Sequence, residues 1–163
     1  MTDVYVGLGS NIDPERCLEQ AVHTLRGHFS VLRCSSVYRS PAYGFSGADF
    51  LNLVAVFDSS LQVQQIEQML SAAEAAQGRP RRQQRFGPRS LDLDLLLYGS
   101  TVNASKRLPR ADVLRYPFVL APLCELAPEL KHPVIGTELG DIWASMSRDG
   151  HALTCLGSIA ALQ

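Results

Sequence analysis

The stretch that most restricts the fold is Leu91-Asp92-Leu93-Asp94-Leu95-Leu96-Leu97-Tyr98, with Gly87-Pro88 upstream and Gly99-Ser100 directly after it. A short leucine-rich run between turn residues reads as a buried strand. Side chains alternate along a strand, so Leu91, Leu93 and Leu95 share one face, and Asp92 and Asp94 share the other. Two carboxylates one repeat apart lie roughly 7 Å apart at their Cα atoms. An unpaired buried carboxylate costs on the order of several kcal/mol or takes up a proton. A bound cation resolves that conflict. Oxygen-only ligands suit Mg²⁺, which takes one or two carboxylates and fills its remaining positions with water and phosphate oxygens. The plainer alternative is an Asp–Arg salt-bridge network at the mouth of the strand.

The residues upstream favour the phosphate reading. Arg79, Arg81, Arg82, Arg85 and Arg89 fall within eleven residues, broken by Pro80, Gly87 and Pro88. No apolar period runs through them, so the segment is expected to be a loop. Guanidinium forks match phosphate oxygens in pairs, and a metal can bridge those same oxygens, which is the combination phosphoryl transfer requires. Lysine occurs only at Lys106 and Lys131, so the basic character is local and almost wholly arginine.

At 163 residues, 46% hydrophobic and 19% charged, the chain is expected to form a single domain over 1–163 with one sizeable core. A net charge of −1 gives no reason to expect nucleic acid or an anionic membrane as partner. No apolar stretch approaches the roughly 20 residues needed to span a bilayer, and no basic leader precedes an apolar run. Cys17, Cys34, Cys124 and Cys155 are scattered without C-x-x-C spacing, so buried free thiols are expected in place of zinc or redox sites. A cytoplasmic location follows from these features.

Read along the chain, Val4–Leu8 is a first strand. Asp13-Pro14 starts a helix that carries Leu18, Ala21, Val22 and Leu25 and ends at Gly27. Phe29–Tyr38 reads as a second strand. The loop Ser40–Asp49 has turn residues and exposed rings at Tyr43 and Phe45; it is either a lid over a flat ligand or a loop tacked to the core by those rings. Phe50–Phe57 is a strand whose one amide, Asn52, is a filler or a ligand reader. Ser59 or Ser60 is expected to cap a helix closed by Gly78. That helix carries Glu74 near its end, as a solvated carboxylate or a ribose contact. Beyond the Asp92–Asp94 strand, Val102–Leu108 reads as a short strand or an edge hairpin, and Arg107, Arg110 and Arg115 form a second basic set. Residues 118–128 read as an apolar turn and helix interrupted by Pro122, Leu139–Met146 as a last helix, and the tail from Thr154 as a weak strand. The order β-α-β-β-α-β predicts an α+β, ferredoxin-like sandwich, a mostly antiparallel sheet with two helices packed on one face.

These motifs together resemble a known family. Gly9-Ser10-Asn11, Tyr38-Arg39-Ser40-Pro41, Glu74 with Gly78-Arg79, Arg85-Phe86-Gly87-Pro88-Arg89-Ser90-Leu91-Asp92-Leu93-Asp94 and Phe118-x-Leu-x-Pro-Leu-x-Glu-Leu-Ala-Pro occur here in the order seen in 6-hydroxymethyl-7,8-dihydropterin pyrophosphokinases of folate synthesis. The resemblance implies pyrophosphoryl transfer from ATP to the pterin hydroxymethyl, with release of AMP. It implies catalytic roles for Arg79, Arg89, Asp92 and Asp94, with two Mg²⁺ ions held by the two aspartates. ATP contacts are implied at Glu74, Arg81, Leu95, Leu108, Arg110, Arg115 and Tyr116. Pterin contacts are implied at Ser40, Pro41, Tyr43, Phe50, Asn52 and Phe118. The expected partners are ATP and the reduced pterin alone, with no nucleic acid and no membrane, bound by a monomer.

One segment departs from the family pattern. Arg110 stands where members carry a histidine after the proline, and Tyr116 stands where they carry an arginine before the stacking aromatic. Both places serve ATP phosphates in the family. An alternative reading is therefore a pterin- or nucleotide-binding paralogue with impaired transfer. The two aspartates and the two key arginines favour the enzyme.

Overall fold

The structure is a computed structural model and describes residues 1–77 and 91–162. Six strands are described: β1 (Thr2–Ser10), β2 (Leu32–Cys34), β3 (Val37–Ser40), β4 (Phe50–Ser59), β5 (Asp92–Tyr98) and β6 (Thr154–Gly157). They form one sheet in the order β5-β1-β4-β3-β6, with β2 also paired to β4. Every named pairing is antiparallel. The helices are α1 (Pro14–His28), α2 (Val63–Ala76), a single turn α3 (Asp112–Arg115), α4 (Pro117–Leu126) and α5 (Leu139–Ser145). This is the α+β sandwich that the element order predicts. None of the described helices is long and apolar enough to cross a membrane.

Two apolar clusters sit on opposite faces of the sheet. Leu18, Ala21, Val22 and Leu25 of α1, with Ile66 and Leu70 of α2, meet Val4, Val6, Leu8, Leu53, Ala55, Leu93 and Leu95. On the reverse face Val113, Leu120, Leu123 and Leu139 meet Tyr5, Val54, Val56, Leu96 and Leu97. Both faces are thus covered, where the sequence suggested helices on one. The second cover is shorter, and one end of that face stays open.

Several local expectations are corrected. Pro14 does begin α1, but Asp13 adopts φ 46° and makes no side-chain cap bond; its carboxylate pairs with Arg16. The helix runs through Gly27 to His28. The expected strand Phe29–Tyr38 is split into β2 and β3 at Ser35-Ser36. Ser35 exchanges bonds with Val54 through both its backbone N–H and its Oγ, and Ser36 donates from N and Oγ to Glu125. Tyr38 also donates to Glu125, so this carboxylate of α4 fastens the corner between the two strands. Neither Ser59 nor Ser60 caps α2. Gln62 does, in a reciprocal capping box with Gln65, while Ser59 Oγ accepts from Leu61 N–H within the turn. The expected closure at Gly78 lies outside the described residues. Helix α4 continues through Pro122 without interruption. Residues Asn103 and Leu108 form a single bridge around a 3₁₀ turn in place of a full hairpin. All four cysteines are free; Cys17 is buried as expected, but Cys34 and Cys124 are half-buried and Cys155 is exposed.

Candidate functional site

The open end of the second face is built by register. Gly7 is paired with Val54 on one side and Asp94 on the other; two residues on, Gly9 is paired with Asn52 and Asp92. Three strands therefore present two parallel rows, Val54–Gly7–Asp94 and Asn52–Gly9–Asp92, with a glycine in the middle of each. Removing two side chains from the central strand lowers the floor between Asn52 and the aspartates. A Cβ on Gly9 would lie 3.0 Å from Asn52 Oδ1, so the amide already fills the space above that backbone. Asn52 and Asp92 are two strand spacings apart, roughly 10 Å. The alternation of β5 holds through Asp92, Asp94 and Leu96. It then slips, because Leu95 pairs with Val6 and Leu97 with Tyr5, so Leu96 and Leu97 both join the second face.

Over these rows lies a cleft of about 940 Å³. Of the site residues expected from the sequence, Ser40, Pro41, Tyr43, Phe50, Asn52, Glu74, Asp92, Asp94, Arg110, Arg115, Tyr116 and Phe118 all line it. They come from β3, the following loop, β4, α2, β5 and the segment 107–119. Leu95 and Leu108 do not; both are buried in the cluster beneath α1 and α2. Arg79, Arg81 and Arg89 lie outside the described residues.

The acidic end has a definite electrostatic structure. Arg110 Nη2 lies 3.2 Å from Asp94 Oδ1, and Arg110 Nε lies 3.1 Å from Asp112 Oδ2. Its backbone N–H donates to Leu96 O, which ties the segment to β5. Burial, then the neighbouring Asp92, pushes the Asp94 carboxyl up to about 7; Asp112 and Glu74 push in the same direction, and Arg110 opposes them. Burial pulls the Arg110 guanidinium down, but Asp94, Asp112 and Asp92 outweigh it and leave it above its ordinary value. Glu74 Oε1 accepts the Leu93 N–H at 2.8 Å, so this carboxylate anchors β5 to α2 as well as facing the cleft.

The aromatic end lies across the floor. Asn52 Nδ2 donates to Ser40 Oγ at 3.0 Å, with both side chains buried, which fixes the amide's orientation. Phe45 meets Phe50 edge-on at 6.2 Å, and Asn11 Nδ2 donates to Ala48 O, so the 41–49 loop is tacked down at two points. Tyr43 is the ring left exposed at its mouth. Tyr116 stacks on Phe118 with centroids 5.1 Å apart and planes 12° apart, and Tyr43 meets Tyr116 edge-on at 5.2 Å. Tyr116 therefore makes its ring contacts within the aromatic group. Sequence reasoning missed the two floor glycines, although Gly9-Ser10-Asn11 marked the place. It also missed Asp112, whose signal was its spacing of two from Arg110, and His151, whose ring joins Tyr43.

Fold and cleft together define a class: an α+β sandwich with a polar and aromatic cleft on the half-open face of its sheet. Comparison with known proteins narrows this. Residues 5–128 match the family model described as 7,8-dihydro-6-hydroxymethylpterin-pyrophosphokinase. The 2-amino-4-hydroxy-6-hydroxymethyldihydropteridine pyrophosphokinase of Methylorubrum extorquens is 40% identical over 144 residues, covering 85% of this chain and 89% of that one. Its counterpart in Pseudomonas aeruginosa is 36% identical over 156 residues, covering 90% and 93%. Among solved structures, the wild-type HPPK-DHPS chain of Plasmodium falciparum aligns over 88% of this chain with a TM-score of 0.65 at 12% identity, which shows a shared fold. This chain spans 44% of the length of that one. The chain belongs to the 7,8-dihydro-6-hydroxymethylpterin-pyrophosphokinase family.

Proposed function

We propose that the cleft transfers a pyrophosphoryl group from ATP to the hydroxymethyl group of 6-hydroxymethyl-7,8-dihydropterin, with the pterin on the Asn52 side and the phosphates on the Asp92 side. The observation that carries this division is the row Asn52–Gly9–Asp92, which sets a neutral amide and a carboxylate on either side of a bare backbone. The pterin ring would stack on Phe118, flanked by Phe50 and Tyr43, with its amide edge read by Asn52 and the backbone at Ser40 and Pro41. Its hydroxymethyl would then point across Gly9 towards the aspartates. Release of AMP requires that the hydroxyl oxygen attack the β-phosphorus while the bond from that phosphorus to the α-phosphate oxygen breaks.

The donor set fits Mg²⁺. Asp92 and Asp94 are two partly desolvated carboxylates side by side, and their mutual repulsion is what a cation would relieve. Among the described residues no group of three or more His, Cys, Asp or Glu could hold a metal, so phosphate oxygens and water would complete the coordination. Two such ions, when bound, would neutralise charge on the transferring group. Arg110 is at present the counter-ion of Asp94, and its guanidinium would be released to the phosphates as the cation took its place. Arg115 lines the same wall, and Arg79, Arg81 and Arg89 are assigned to phosphate on the strength of the sequence motif. Glu74 would face the ribose. Leu95 and Leu108 keep their sequence-based assignment to the ATP side only through backbone or packing. The whole chain is taken as one cytoplasmic, monomeric catalytic unit.

The test is a turnover assay with ATP, Mg²⁺ and the reduced hydroxymethylpterin, with AMP measured as product. AMP formation dependent on the pterin is the expected result. Tight binding of both ligands with no AMP would favour the binding paralogue instead.

A further inference from the structure

Residues beyond 128 fall outside the family match, yet the chain returns to the cleft there. Strand β6 pairs with β3, setting Cys155 opposite Tyr38 and Thr154 opposite Arg39. The segment just before β6 is thereby brought beside Ser40 and Pro41, and with Gly150 and His151 these residues line a small second pocket next to Phe118. A turn fixes the approach: Gly150 takes φ 75°, and His151 N–H donates to Arg148 O at 3.0 Å.

The His151 ring lies 5.3 Å from that of Tyr43 with planes 23° apart, a stacked arrangement. It lies 6.3 Å from Tyr116 and 6.5 Å from Phe118. Four rings from three separate segments thus meet at the aromatic end of the cleft. None of the four belongs to either core cluster, and Tyr43 is 41% exposed. A group of rings serving only the core would be buried with it. Tyr43 instead sits on an irregular stretch between Pro41 and the attachments at Phe45 and Ala48, and the stacked contact for its ring comes from His151.

We infer that His151 is a positioning residue for the pterin: its imidazole holds Tyr43 against the edge of the Tyr116–Phe118 stack, so that the substrate ring is gripped from the lid side. This rests on the reading of the cleft's aromatic end as the pterin site. Losing one aromatic pair corresponds to about a 3- to 10-fold change in affinity. Because the contact acts on binding and not on the reacting atoms, it belongs in KM.

The experiment compares wild type, His151→Ala and His151→Phe by fluorescence titration of the reduced hydroxymethylpterin, with Mg²⁺ and a non-hydrolysable ATP analogue present, alongside KM, kcat and thermal melting. The expected result is about 3- to 10-fold weaker pterin binding in His151→Ala. Its kcat, ATP KM and melting temperature stay close to wild type, and His151→Phe recovers most of the loss. Wild-type affinity in His151→Ala overturns the inference. So does a loss that Phe does not repair, or a parallel loss of ATP affinity and stability, which would mark a structural role. If wild type itself binds no pterin, the reading of the cleft falls and the inference with it, a result distinct from equal binding by both proteins.

Discussion

On the face covered by α1 and α2, the adjacent strands β4, β1 and β5 present the rows Ala55–Val6–Leu95 and Leu53–Leu8–Leu93; on the reverse, the adjacent rows are Val54–Gly7–Asp94 and Asn52–Gly9–Asp92. The first pair of rows is wholly apolar and closed by helices. The second substitutes glycine for bulk and carboxylate or amide for aliphatic side chains, and the helical cover stops short of it. Period-two alternation lets one set of strands serve both purposes, since along these regular rows neighbouring residues point to opposite faces. The price is local: desolvated carboxylates crowd each other where a closed face would have put leucines.

The largest expected effect breaks the open face alone. Asp94→Asn should lower AMP formation by about 100-fold or more, because charge stabilisation of a transferring phosphoryl group is lost. The same change should stabilise the protein when divalent ions are chelated. The Asp94 carboxyl is pushed up to about 7 by burial and then by Asp92, against about 3.9 in an unfolded chain. Between those values the folded state keeps a proton that the unfolded state has lost, so stability should fall as pH rises from about 4 to 7. Asn removes that slope and should gain on the order of 1–3 kcal/mol at pH 8, read by denaturant melts across pH. An Asn variant that melts lower than wild type at pH 8 would refute the account of a strained pair.

Leu95→Ala tests the closed face one residue further along the same strand. It removes a side chain 7% exposed in the α1–α2 cluster and should cost about 2–4 kcal/mol of stability. Its ATP KM should stay near wild type at temperatures where it remains folded. A raised ATP KM with normal melting would give Leu95 back the nucleotide contact that family resemblance implies.

How much of this was legible in the sequence follows the same division. Alternation over 91–95 separated leucine from aspartate correctly, because that strand segment is regular. It could not foresee the slip that puts Leu96 and Leu97 on one face, since a bulge depends on the pairing partner, here Tyr5 and Val6. The family motifs brought most cleft residues together. They grouped Tyr116 with the ATP contacts; its ring stacks on Phe118, and one-dimensional spacing does not say which way a side chain turns at the start of α4. Asp112 and His151 went unnoticed because each acquires its role from a partner, Arg110 or Tyr43, met only in the fold.

Gly9→Ala sharpens the comparison by adding a single methyl to the floor. Its Cβ would stand 3.0 Å from Asn52 Oδ1, and the buried amide bonded to Ser40 has little room to yield. Pterin affinity should fall roughly 10-fold, the size of one displaced hydrogen-bonding group, with a smaller effect on ATP. Calorimetric titration of each ligand separates the two, and equal losses for both would mean that the glycine serves the strand and not the floor.

The smallest effect is expected from Tyr116→Arg, which restores the cation that the family pattern places there. Were the phosphate wall impaired, a new charge-assisted contact would raise ATP affinity or catalytic efficiency tenfold or more. The geometry argues against that gain. Arg110 and Arg115 already line the cleft, and the Tyr116 ring is engaged with Phe118 and Tyr43. An arginine there would exchange a ring pair for a guanidinium over Phe118, and a cation over an aromatic face recovers part of what the stack loses. ATP KM should therefore move less than about threefold, and pterin KM should rise by a similar small factor. Steady-state kinetics with each substrate varied in turn distinguishes these outcomes. A large gain on the ATP side alone would show that the phosphate wall is incomplete as the chain stands, and would shift the balance towards a paralogue with weakened transfer.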